Sequence, residues 1–175
     1  HKPLYGNLLA GKPFTVNYAM GWTGDIFGEN DVLGADPTTF GLTNGKRGNN
    51  ASYTPWSSFA IVEGKDLEFI VNLDKPTEVS KVIFGSLFNP AMRMLPAGGI
   101  AVEVSADGQQ YTQIAEKTLK HDCPETGRIA FTDSIEFEPA QATFLKVKIK
   151  NGGTLRNGVN FEKNNGPEVI PAELW

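Results

Sequence analysis

The chain has 175 residues, 40% of them hydrophobic, with twenty acids against sixteen bases for a formal net charge of -4. That is enough for one domain with one sizeable core, and the absence of a Lys/Arg cluster argues against a nucleic acid or an anionic membrane as partner. Cys123 is the only cysteine, which excludes an internal disulfide and a cysteine metal cluster, though not export.

No run of about 20 apolar residues marks a membrane span. The opening His1-Lys2-Pro3 does not read as a signal peptide. The expectation is a piece of a longer chain or a mature form.

Period-two alternation dominates. Leu67, Phe69, Val71 and Leu73 share one face of an extended segment, with Glu68, Ile70 and Asn72 on the other. This strand, Asp66 to Leu73, leads into Asp74-Lys75-Pro76. The apolar run Val79 to Phe84 follows and predicts a strand covered on both sides. Ile100, Val102 and Val104 alternate with Glu103 and Ser105. Ala106-Asp107-Gly108-Gln109 reads as a hairpin turn, because Asp-Gly tolerates positive φ. Ile129 with Phe131, then Ile135 with Phe137, predict two more strands or one bent strand. Leu145, Val147 and Ile149 alternate with Lys146, Lys148 and Lys150 in the cleanest half-buried strand.

No dozen residues keep a helical period, and nineteen glycines and eleven prolines punctuate the chain. The prediction is an all-β antiparallel sandwich or barrel forming a single domain over 1–175. Long irregular stretches run from Gly21 to Pro37, Asn44 to Ser58 and Asn151 to Pro167, with a shorter one from Phe88 to Gly99. Loops of that length are often functional.

Gly41-Leu42-Thr43-Asn44-Gly45-Lys46-Arg47-Gly48, then Trp56 with Phe59, precede Glu63-Gly64-Lys65-Asp66-Leu67-Glu68. Leu95-Pro96, Val104-Ser105-Ala106-Asp107-Gly108 and Ala172-Glu173-Leu174 follow. In this order the fragments resemble the coagulation factor 5/8 type C (discoidin) family of galactose-binding-like domains. The version at the C-terminal end of bacterial β-hexosaminidases and chitobiases is the most similar, together with family 32-type carbohydrate-binding modules. The fragments run from the early forties to the C-terminus.

The resemblance implies a jelly-roll β-sandwich of about eight strands. It also implies a non-catalytic module that binds galactose- or N-acetylhexosamine-containing glycans through loops at one end. Such a module would be an accessory domain of an exported bacterial glycoside hydrolase, found in the periplasm, at the cell surface or secreted. One structural calcium is implied, with Leu42, Asn44, Arg47 and Glu173 as its metal set. Here Asn44 stands for the usual Asp and Ala172 for the acid before Glu173. Both changes remove charge that calcium favours, leaving a weaker site or a lost one. The stretch Ser57 to Val62 looks longer than usual and reads as a rebuilt loop. The alternative function is a structural accessory domain that packs on a neighbouring catalytic domain without binding sugar.

Sugar binding needs a flat aromatic face and fixed polar groups for the hydroxyls. The loop candidates are Trp22, Phe88, Asn89, Arg93, Asn160 and Phe161. Each aromatic either stacks on a sugar or plugs the end of the sandwich. Trp56 reads as a core residue, and Arg93 either contacts ligand or pairs with an exposed acid. Asp25, Glu29, Asp31 and Asp36 form a solvated acidic loop without the spacing of an EF-hand. His121-Asp122-Cys123 lies in a turn, and neighbours in sequence do not make a catalytic triad.

Overall fold

The computed structural model of the protein describes residues 7–16, 59–62, 66–92, 95–150, 152 and 168–174. These residues are mostly antiparallel β with almost no helix, as the alternation predicts. Seven strands are described: β1 (Phe14–Val16), β2 (Phe59–Val62), β3 (Leu67–Phe88), β4 (Gly99–Ser105), β5 (Thr112–Thr118), β6 (Ile129–Lys150) and β7 (Glu168–Leu174). Their hydrogen-bonded order is β2-β7-β3-β6-β4-β5, with β1 also on β3. A 3-10 turn, Pro90–Met92, follows β3.

β3 and β6 each run for 22 residues, well beyond the usual strand, and they pair along nearly their whole length. Two register breaks divide this pairing, at Asn72/Thr77 and at Val79/Lys81. At the first, β3 carries the surplus residues. Asp74 adopts a φ of 71°, and its N–H donates to Asn72 Oδ1 at 2.8 Å. Asp-Lys-Pro therefore kinks β3 without ending it, so the segments read separately as Asp66 to Leu73 and Val79 to Phe84 are one strand. At the second break the surplus lies on β6, at Phe137-Glu138-Pro139. Proline, lacking an N–H, is tolerated at such a bulge.

The alternating apolar residues meet in rows. Leu67 lies opposite Ile149, which lies opposite Ile100; Phe69, Val147 and Val102 form the next row. All six are buried, and they share one core cluster with Val82, Phe84 and Ile135. Phe14 of β1 packs edge-on against Phe69, ring centroids 6.4 Å apart. Burying a side chain of this size stabilises the fold by about 1.5–3 kcal/mol.

Three readings need correction. Val79 to Phe84 is not covered on both sides: Ser80 and Lys81 are exposed, and burial follows Val82 and Phe84. Phe59 to Val62 is no rebuilt loop but strand β2, paired with β7 from Phe59↔Pro171 to Val62↔Glu168. Its partner lies more than a hundred residues away, which local pattern does not reveal. Phe88 is not in a loop but is the last residue of β3. The open choice for Ile129 to Phe137 resolves as one strand, which also takes in the lysine-rich segment.

Candidate functional site

The described parts of the β3–β4 and β5–β6 connections meet the chain just beyond β6 at one end of the fold. Gly98 N–H donates to Lys150 O at 2.9 Å, and Leu119 N–H donates to Gly98 O at 3.0 Å. A Cβ on Gly152 would collide with the carbonyl of Pro96, so the chain beyond β6 passes directly against the β3–β4 connection. That connection is anchored by buried Leu95, Pro96 and Ala97.

Two groups of side chains occupy this region. Phe88, at the end of β3, is fully buried, and Asn89 just beyond it is 2% exposed. Among the described residues Asn89 Nδ2 finds no hydrogen-bond partner, and neither does the buried Ser86 Oγ of β3. Buried polar groups are normally paired, so these two stand out. On β6, Phe131 lies opposite Ser86 and Asp133 opposite Phe84. The His121 ring packs on Phe131 with centroids 4.4 Å apart. Its Nε2 faces the Asp133 carboxylate oxygens at 2.9 and 3.1 Å. A carboxylate only accepts, so the shared hydrogen sits on Nε2.

His121 thus ties the β5–β6 connection to β6. Burial first, then Asp122, pushes the Cys123 thiol up from its ordinary value, which disfavours the nucleophilic thiolate. The sequence-adjacent triplet is a clasp for a loop, and its working partner, Asp133, is distant in sequence.

A second polar surface covers the outer face of β3, β6, β4 and β5. Glu103 lies 3.2 Å from Lys146 Nζ and 3.0 Å from Lys148 Nζ, and Lys148 also reaches Glu68 at 3.5 Å. Lys146 sits over the Tyr111 ring, 3.9 Å from its centroid. Burial pushes the Glu103 carboxyl upward, but hydrogen bonds from Lys148 and then Lys146 outweigh it and hold the group below the usual range. Burial, then Asp107 and Glu103, pushes the Tyr111 hydroxyl up. The acids opposite the lysines lie on three other strands, so the alternation alone gave no sign of them.

Of the predicted ligand contacts, Phe88 and Asn89 are adjacent and buried at the converging end. A ring with no exposed face cannot stack on a sugar, so Phe88 contributes packing in this conformation. Trp22, Arg93, Asn160 and Phe161 lie outside the described residues. Of the implied metal set, Leu42, Asn44 and Arg47 also lie outside them, and Glu173 belongs to β7, paired with Gly85. Trp56 and the acidic loop Asp25, Glu29, Asp31 and Asp36 are outside them too. Among the described residues no group of three or more His, Cys, Asp or Glu is gathered as a metal site requires, and no helix is long and apolar enough to cross a membrane.

No family model matches the chain, and no curated protein matches it. Among solved structures, the chain is similar to chitosan-binding module 1 of a chitosanase/glucanase from Paenibacillus sp. IK-5, at 17% identity. That match covers 98% of this chain and 99% of the other, with a TM-score of 0.48. CBM32-3 from a family 31 glycoside hydrolase of Clostridium perfringens is similar at 13% identity over 92% and 88% of the two chains, TM-score 0.48. CpGH89CBM32-5 from Clostridium perfringens, in complex with GalNAc-beta-1,3-galactose, is similar at 14% identity over 93% of each chain, TM-score 0.47.

Proposed function

We propose that this chain is a non-catalytic carbohydrate-binding module with the jelly-roll sandwich of the discoidin-like domains. It serves as an accessory domain of an exported bacterial glycoside hydrolase of the β-hexosaminidase kind. Its ligand is a galactose- or N-acetylhexosamine-containing glycan held by the loops at the converging end. The order of sequence fragments supports the family reading. The observation that carries the site is Asn89, whose buried amide has an unpartnered Nδ2 where the β3–β4 connection leaves the sheet. The amide is buried in this conformation, so donation to a sugar hydroxyl or acetamide oxygen requires the ligand to displace what covers it, with Arg93 four residues on and the other loop candidates completing the contact. A weak structural calcium held by Asn44, Glu173 and backbone carbonyls, Leu42 and Arg47 among them, belongs to the same reading.

A glycan array followed by calorimetric titration, with calcium and then with chelator, tests this. Binding to such oligosaccharides is expected with Kd on the order of 0.1–1 mM, and Asn89→Leu is expected to weaken it about tenfold. An array without any binder overturns the reading. It would favour the second one, a domain that packs on a neighbouring catalytic domain, for which the complete burial of Phe88 speaks.

A further inference from the structure

Alternate residues at the end of β5 and just beyond it lace this strand to β6. Lys117 Nζ donates to the carbonyl of Ser134 at 2.9 Å. Leu119 joins the core cluster, and His121 meets Asp133. A two-residue spacing is that of an extended chain keeping one face inward. The first and last of these contacts differ in setting. The Lys117 contact is exposed and belongs to the strand itself. The His121 and Asp133 side chains are only 8% and 14% exposed, and His121 lies in the β5–β6 connection.

This clasp bears on Asn89 by two routes. Phe131, beneath the imidazole, lies opposite Ser86, and Asp133 lies opposite Phe84. Asn89 follows Ser86 by three residues. On the other side, Leu119, two residues before His121, donates its N–H to Gly98 O. Gly98 closes the connection that opens at Asn89. The β3–β4 connection is thus held at its start through β3 and at its close through Leu119, and His121 ties those two supports together.

We propose that His121 is a positioning residue for the glycan contact. Clasped to Asp133 and Phe131, it sets the β3–β4 connection, and with it Asn89, in the binding position. This rests on the function proposed above. His121 acts through Leu119 and Gly98, without touching the ligand itself. A histidine suits the task because its ring packs on Phe131 while one N–H is aimed at the carboxylate, which fixes direction as well as distance. Phenylalanine would keep the ring contact and lose the donor; Asp133→Asn would keep an acceptor for the Nε2 hydrogen.

The test compares the unaltered chain with His121→Phe, Asp133→Asn and Lys117→Met. Each is titrated with the best array glycan and unfolded in urea. The Asn89 side-chain amide is followed by proton–nitrogen correlation NMR, and the Leu119 N–H by hydrogen exchange. In His121→Phe the Asn89 signals should move, and Leu119 exchange should speed up at least about tenfold. Glycan binding should weaken at least about tenfold under conditions where the variant is fully folded. Asp133→Asn should keep its affinity within about threefold. Lys117→Met, which cuts the neighbouring tie, should leave the Asn89 signals and the affinity unchanged. The proposal is overturned if His121→Phe leaves both the Asn89 signals and Leu119 exchange as they were. It is also overturned if Lys117→Met disturbs them equally, or if His121→Phe loses stability yet binds glycan as before. If the unaltered chain binds no glycan, the proposed function fails, and the placing of Asn89 by His121 is decided by the signals and the exchange alone. Should His121→Phe not fold, His121→Gln, which gives up the ring contact, takes its place with the same outcomes.

Discussion

Asn89→Leu separates a binding amide from a structural one. In the folded chain the side chain is 2% exposed, and its Nδ2 has no acceptor. A buried donor left unpaired costs about 1–3 kcal/mol. Leucine is close in volume and carries no donor, so that cost disappears. Against it stands whatever the amide oxygen contributes, about 1 kcal/mol for a typical hydrogen bond. The net expectation is unchanged stability or a gain of about 1 kcal/mol. Urea unfolding followed by tryptophan fluorescence measures it. Titration with the best array glycan measures the other half: loss of a sugar hydrogen bond should weaken binding about tenfold, or ~1.4 kcal/mol. A destabilisation beyond about 2 kcal/mol would mean that the amide is tied into the protein and that the reasoning fails. Unaltered glycan affinity would remove Asn89 from the site.

Glu103→Gln should cost about 1 kcal/mol at neutral pH, since two lysine contacts weaken while the amide still accepts from them. The folded carboxyl is held below its ordinary value, so its contribution is present above about pH 4.3, where the unfolded group ionises, and fades as pH falls through the folded value. Parent and variant stability curves should therefore converge in acid; parallel curves would contradict the pairing. Gly108→Ala places a Cβ 3.1 Å from the Phe144 ring at a φ of +76°, so a loss of about 1–2 kcal/mol is expected in thermal unfolding. Phe84→Ala empties a fully buried position and should cost about 3–5 kcal/mol in urea unfolding.

The half-buried strands were legible because one residue in two carries the answer. Lys146, Lys148 and Lys150 can only face outward, and Leu145, Val147 and Ile149 only inward. The Asp107-Gly108 turn was legible because its chemistry is local: Ser105 and Asp107 side chains accept from the N–H groups of Gly108, Gln109 and Gln110. What escaped depends on distant partners. Asp74-Lys75-Pro76 reads as a stop signal, yet β6 holds β3 on both sides of the kink. Phe59 to Val62 is a strand only because β7 exists. Ser86 and Asn89 look like ordinary polar residues until the fold buries them unpaired, and the link between His121 and Asp133 depends on how the β5–β6 connection folds back.

The two long strands have a consequence for how the molecule comes apart. Because β3 and β6 each thread both sides of the register breaks, peeling either half away pulls directly on the other. Denaturation should accordingly proceed in a single cooperative step, with the most protected amides distributed along both strands rather than confined to one lobe.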